Sequence, residues 1–245
     1  FISFRANWSQ VFNAPNLGDL YLVGGVFVDN PRLQPETGVT YDVGVDITPA
    51  RNLGFRLTYF STYINGVFGN LIFVNPNINN PTSPTFGEPL IQQVNNLAGR
   101  RATGIEFSAD WRLTDQIQLR AAWTNTDARD IGRTDNIGDS SFPFNYEYQL
   151  TGIPFNNVVV AATYLNKGLL VSLLARYDSG KRRGATNLFV PAWATLDLNV
   201  ELPVTPFLTV TGNVFNLTDT QYEYVSNSPA PGTTFRVGAR LELGG

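Results

Sequence analysis

The side chains in this sequence that could do chemistry are cations, phenols and carboxylates, and they come in clusters. Gly180-Lys181-Arg182-Arg183-Gly184 packs three cations between two glycines. Further on, Tyr222 and Tyr224 flank Glu223. Asp127, Asp130, Asp135 and Asp139 crowd the stretch "DARDIGRTDNIGD". Guanidinium groups bind anions through paired hydrogen bonds, and aromatic faces take flat apolar rings or cations. The cationic run lacks the G-x-x-x-x-G-K-[ST] spacing of a phosphate-binding loop. It reads either as a patch for an anionic ligand or lipid phosphate, or as a solvated loop. Carboxylates suit Ca²⁺, but the aspartates lack the EF-hand spacing and read first as a solvated acidic loop. The chain has no His and no Cys, which removes Ser-His-Asp catalysis, thiolate chemistry and disulfides. No catalytic constellation and no metal-ligand set is expected, so the chemistry on offer is binding.

These groups must be held by strands, because the recurring pattern is alternation. Ile2, Phe4, Ala6 and Trp8 alternate with Ser3, Arg5, Asn7 and Ser9. Similar runs lie near 37–48, 53–62, 104–113, 116–125, 168–177, 192–202, 207–216 and 235–243, while "NVVVAATYL" at 157–165 is apolar on both faces. Period two means β-strand, and the runs make about ten strands of roughly 9–11 residues, the length that crosses a bilayer at a tilt. No segment shows sustained helical periodicity.

The connections alternate as regularly as the residues do. Long links near 10–36, 64–102, 127–155, 178–191 and 217–232 are separated by the tight turns "TPARN", "LTDQ", "NKG" and "PVTP". In an up-and-down barrel consecutive connections fall on opposite rims. All long loops then lie on one side and all short turns on the other, as in outer-membrane barrels. The cations at 181–183 and the phenols at 222 and 224 both fall in long loops.

Composition agrees with this reading. Mean hydropathy is −0.08, the near-zero average that alternating lipid-facing and lumen-facing residues produce. No run is long and apolar enough for a membrane-spanning helix. A net charge of −3 disfavours a nucleic-acid partner. The polar row holds Arg56, Asp46, Glu106, Asp110, Arg120, Arg176, Asp197, Glu201, Arg236, Arg240 and Glu242. Turned to lipid, each Arg would cost roughly 2–4 kcal/mol, so in a membrane the charges face the lumen, chiefly paired across strands. Phe235, Val237, Ala239, Leu241 and Leu243 then face lipid. Trp8, Trp123, Tyr177 and Phe235 fall near the upper rim and Trp111 near the lower, as two interfacial belts. A soluble β-rich module with the apolar row as its core is the alternative. The absence of Met reads as a processed product or a fragment.

Four segments together resemble TonB-dependent outer-membrane receptors. "RANWSQVFNAPNLGDLY" is similar to the family's "F-R-A-P-x-L-x-E-L-Y" segment, with Asn13 where Arg is usual and Asp19 where Glu is usual. "NPRLQPE" matches "N-P-x-L-x-P-E" at Asn30, Pro31, Leu33, Pro35 and Glu36. "GRRATGIEFSADWRLTDQIQL" resembles the "G-x-E" strand, and "VFNLTDTQYEY" matches "N-L-x-D-x-x-Y" at Asn216, Leu217, Asp219 and Tyr222. "IPFNNVVVAATY" and "VPAWATLDLNVEL" look most like siderophore receptors. The resemblance spans nearly all of residues 1–245, read as one β-barrel unit. It implies an all-β, up-and-down antiparallel transmembrane β-barrel in the bacterial outer membrane, here the C-terminal ten strands of about 22. The implied function is energy-coupled uptake of a ferric siderophore, with iron entering only as the chelated ligand and no cofactor. Cobalamin or haem uptake, or a passive porin or adhesion barrel, are the alternatives. Partners implied are outer-membrane lipid and lipopolysaccharide, the siderophore, and TonB through an N-terminal plug that these residues do not contain. Arg182, Arg183, Tyr222 and Tyr224 become the candidate ligand-binding residues. The family's chains usually end in an aromatic residue; Leu243-Gly244-Gly245 reads as a trimmed end.

Overall fold

The computed structural model describes residues 1–96, 99–131, 149–183, 189–225 and 227–242. Ten strands form one antiparallel sheet. They are β1 (Ile2–Asn13), β2 (Glu36–Ala50), β3 (Leu53–Asn65), β4 (Gly99–Arg112) and β5 (Ile117–Ile131), followed by β6 (Asn156–Asn166), β7 (Leu169–Asp178), β8 (Trp193–Thr205), β9 (Leu208–Phe215) and β10 (Thr234–Leu241). Each pairs with its predecessor and successor in chain order. The sheet does not close: β1 and β10 each keep one edge without a partner strand among the described residues.

The turns are tight where the sequence is short. Lys167 (φ 49°) and Gly168 (φ 84°) join β6 to β7 between the paired residues Asn166 and Leu169. Two positive φ values are what a type I′ hairpin needs. At the β4–β5 turn the Thr114 hydroxyl accepts from the Gln116 and Ile117 N–H groups at 3.2 and 3.0 Å. On the opposite rim the long loops carry structure that alternation does not reveal. Leu17–Tyr21 is a short helix capped by Asn16, whose side chain accepts from the Asp19 N–H at 2.9 Å. Phe27–Val28, Leu90–Asn96 and Phe68–Val74 form a separate three-stranded sheet between the first two long loops.

The register separates the two faces cleanly. One row runs Phe4–Val45–Leu57–Phe107–Trp123–Val158–Tyr177–Ala194 across eight strands. The neighbouring row on the other face runs Arg5–Gly44–Thr58–Glu106–Thr124. On β10, Phe235, Val237, Ala239 and Leu241 share the apolar face, and Arg236 and Arg240 the polar one; Leu243 lies outside the described residues. Nothing among the described residues covers the apolar face. Even on inner strands Leu57 is 46 % exposed and Leu173 41 %. A soluble protein would bury that row, so it is the lipid-facing wall.

The outward aromatics give the strand tilt. Trp8 is level with Asp127 through Tyr41, Ser61 and Thr103, and Trp123 lies four residues lower on β5. Trp123 is level with Ala194 through Val158 and Tyr177, and Phe235 pairs at the level of Leu198, four residues lower on β8. The belt therefore descends eight residues over nine strand-to-strand steps. With about 3.3 Å per residue and about 4.8 Å between strands, a level belt requires a tilt of about 31°. Outer-membrane strands tilt by roughly 35–45°. Trp111 sits by the short β4–β5 turn, on the lower rim.

The lumen-side charges pair with one another. Asp46 accepts from Arg5 at 2.9 Å and from Arg56 at 2.8 Å. Arg120 pairs with Asp110 at 2.9 Å, Arg176 with Asp197 at 2.8 Å, and Arg240 with Glu201 and Glu242 at 3.5 and 3.1 Å. Two glycines make room on this face. Arg5 crosses directly over Gly44 to reach the Thr58 hydroxyl; a Cβ on Gly44 would meet its Nη2 at 2.7 Å. Phe60 lies over Gly104, where a Cβ would come within 2.6 Å of the ring.

Candidate ligand-binding site

The predicted cations and phenols meet on the long-loop rim. β7 ends at Asp178, which is buried; its carboxylate accepts from the Gly180 N–H at 2.9 Å and from Lys181 Nζ at 3.5 Å. Gly180, at φ 82°, turns the chain so that Lys181–Arg182 pairs with Phe189–Val190 as a short ribbon. β8 then starts at Trp193, directly opposite Asp178 and on the same face as Thr195 and Asp197. The lumen row is thus continued upward by an indole.

The β9–β10 loop is tied down beside it. Asn216 ends β9 at φ 51°, a backbone region that Asn tolerates better than most residues. Its N–H donates to Asp197 Oδ1 at 2.8 Å. Its side chain accepts from the Thr220 N–H at 3.0 Å and donates to the Thr220 carbonyl at 2.9 Å. Thr233 donates to the Asn216 carbonyl at 2.8 Å, and Asp219 accepts from the Thr233 N–H at 3.0 Å. Asp197, also holding Arg176, joins this knot to β7 and β8. The "N-L-x-D-x-x-Y" pattern is therefore a loop clamp, and Tyr222 is the side chain it delivers.

Tyr222 packs on Trp193 with ring centroids 4.5 Å apart. Tyr224 stands edge-on to both, 5.4 Å from Trp193 and 5.0 Å from Tyr222. The Tyr222 hydroxyl donates to the Tyr224 hydroxyl at 3.2 Å. Burial, then the hydrogen bond to Tyr224, pushes the Tyr222 phenol up to about 12. It is a neutral donor at ordinary pH, not a phenolate. The Trp193 indole N–H is buried and has no hydrogen-bond acceptor among the described residues.

The cations reach this cluster through Arg183. Arg183 Nη2 donates to Glu223 Oε2 at 2.7 Å and Nη1 to Asn227 Oδ1 at 3.4 Å. Arg182 turns the other way, donating to the Gln149 carbonyl at 3.4 Å. Lys181 stays on Asp178. Of the predicted residues, Arg183, Tyr222 and Tyr224 come together, and Arg182 borders a second loop. Trp193 and Glu223 complete the cluster, although neither was singled out in the sequence. The Trp after a Pro at the head of a strand was the available signal for Trp193. Of the acidic run, Asp127 pairs with Arg129 at 2.5 Å and Asp130 with Arg100 at 2.8 Å. Asp135, Asp139 and Gly184 lie outside the described residues, and no cluster of metal ligands occurs among the described ones.

The other loop unit is built by "NPRLQPE". Asn30 donates to the Val94 carbonyl at 2.8 Å, and the Gln34 N–H donates to Asn96 Oδ1 at 2.7 Å. Glu36 accepts from the Phe68 N–H at 2.6 Å and from Asn13 Nδ2 at 2.9 Å, and Leu33 is buried. The motif fastens the second long loop to the first.

The profile of the family described as TonB dependent receptor-like, beta-barrel, matches residues 1–217. The vitamin B12 transporter BtuB of Vibrio vulnificus (strain YJ016) is 26 % identical over 228 residues, covering 93 % of this chain and 32 % of the relative. The copper transporter OprC superposes with a TM-score of 0.72 at 14 % identity, over 98 % of this chain and 38 % of that one. The ferric-catecholate import receptor Fiu of E. coli gives 0.70 at 19 % identity, over 98 % and 33 %. The chain spans about a third of the length of each.

Proposed function

The chain belongs to the TonB-dependent receptor β-barrel family of the bacterial outer membrane, and from that premise we propose that it forms part of the wall and mouth of a receptor importing a ferric siderophore. The wall separates lipid from lumen. Capture starts at the long-loop rim, where Tyr222 and Tyr224, backed by the buried Trp193, give aromatic faces and Arg183 gives a guanidinium. Flat chelating rings suit the former and anionic chelate oxygens the latter. The observation that carries this reading is the Arg183–Glu223 pair, which brings the cationic loop onto the aromatic one. Import would be powered by TonB acting on a plug held in the lumen.

The test is Arg182→Ala with Arg183→Ala in the full-length receptor. We expect binding of an anionic ferric chelate to weaken about tenfold, one charge-assisted contact's worth, and by more at low salt, where attraction is less screened. Unchanged binding of every ferric chelate tried would remove these residues from the site. The likeness to a vitamin B12 transporter favours cobalamin as a second reading. Cobalamin carries little net charge, so its binding would be insensitive both to the double substitution and to salt.

A further inference from the structure

From β4 to β10, one level of the lumen face carries no carboxylate. The register runs along it from Arg112 on β4 to Arg236 on β10. Between them stand the hydroxyls of Thr163 and Ser172, 3.2 Å apart, and the side-chain amides of Gln118, Asn199 and Asn213. These three amides make no hydrogen bond among the described residues, whereas those of Asn30, Asn96 and Asn216 are each tied to backbone carbonyls. Arg236 lies over the Phe215 ring, 5.5 Å from its centroid. Neither Arg236 nor Arg112 has an ion-pair partner among the described residues. Asp110, Asp197 and Glu201 border the row, and each pairs with an arginine of its own: Arg120 at 2.9 Å, Arg176 at 2.8 Å and Arg240 at 3.5 Å.

The row slopes through the wall. It takes six strand-to-strand steps of about 4.8 Å, and at the tilt derived above it descends roughly 15 Å from β10 to β4. That is more than half of an apolar band of about 25 Å. The upper part lies beneath the rim cluster, since Asn199 shares the face of Trp193 further down β8. The lower end reaches the short β4–β5 turn. Neighbouring side chains on the row stand about 5 Å apart, so a solute can take the next donor before it releases the last. Charge selects the solute. A carboxylate on the row would repel an anion, and an arginine held by its own carboxylate would attract one weakly. Here guanidinium groups mark the ends, and the neutral donors between them bind without trapping. We propose that this row is a lumenal transit site, a sloping track of donors for an oxygen-rich anion moving inward from the rim. The identity of that anion as a ferric chelate rests on the siderophore reading.

The experiment measures binding and uptake separately in cells carrying the full-length receptor. The probes are the radiolabelled ferric complexes of a tris-catecholate and of citrate, both anionic. Arg236→Gln should slow uptake at saturating chelate about tenfold, one charge-assisted contact's worth. Asn199→Leu with Asn213→Leu should slow it about fivefold, and Arg236→Lys should keep most of the rate. Binding to de-energised cells should stay unchanged in all three variants, because capture at the rim precedes the track. Unchanged uptake with chelate still bound overturns the track and leaves the siderophore reading standing. A wild type that binds neither chelate overturns the siderophore reading, and this inference with it. Variants that let vancomycin into the cell would mean that these side chains pack the plug, which also overturns the track. Arg236 makes no ion pair among the described residues, so Arg236→Gln should keep the heat-modifiable gel mobility of the folded barrel. Should the double leucine variant not assemble, Arg236→Gln alone decides.

Discussion

At the scale of the residue, the rim site is governed by which groups are charged and what already satisfies them. Burial and the Tyr224 hydroxyl hold the Tyr222 phenol up at about 12, against roughly 10 when unfolded. The stabilising contribution of the neutral phenol is thus complete below about pH 10 and is lost as pH rises through about 12. Ligand capture should therefore be flat from about pH 6 to 9, where the Tyr222 phenol stays neutral. Absorbance titration should show the Tyr222 phenol ionising late, moved to lower pH by Tyr224→Phe. A Tyr222 that ionises near about pH 10 in the wild type would break the cluster as described. Glu223 is an internal carboxylate partner of Arg183, and an anionic ligand there must compete with it. Glu223→Gln should tighten an anionic chelate roughly three- to tenfold, a gain of about 1 kcal/mol from removing a charged competitor. Weakened binding would mean that Glu223 positions Arg183 instead of masking it.

At the scale of the element, alternation located all ten strands and their order of connection, because period two is a backbone property that lipid on one side and lumen on the other reinforce. It under-measured their upper ends. β5 runs on to Ile131, past Trp123, through Asn125, Asp127 and Arg129, where both faces are polar and the hydrophobic signal stops while the hydrogen-bond ladder continues. It also missed the Phe68–Val74 and Leu90–Asn96 pair, which Asn30 and Glu36 of another loop fasten at Val94 and Phe68 and which Asn96 ties to Gly66. Such long-range side-chain anchoring leaves no local period to read. The rim phenols and cations were visible by type, but Trp193 looked like one more strand residue, and only the Asn216 clamp shows why Tyr222 lands on it. Asn216→Ala should cost about 2–3 kcal/mol, since it strips partners from buried backbone groups and puts Ala at positive φ. Hydrogen exchange should rise across residues 217–233 with the β9–β10 ladder still protected. Unchanged protection in that loop would contradict the clamp.

At the scale of the whole molecule, the sheet is a wall whose edge strands β1 and β10 each have one edge without a partner among the described residues. Each unpaired backbone group in lipid costs several kcal/mol, so residues 1–245 on their own should fail to insert as a heat-resistant monomeric pore; a stable ten-stranded pore would favour the passive-porin reading. The central claim is that this wall turns its apolar row to lipid and its paired charges to the lumen. The most direct measurement is spin-label accessibility at each position from 234 to 241 in the full-length receptor in bilayers. Labels at 235, 237, 239 and 241 should collide with oxygen dissolved in the lipid, and labels at 234, 236, 238 and 240 with a water-soluble nickel chelate. Equal access of the nickel chelate to both sets, or the reversed pattern, would contradict the account.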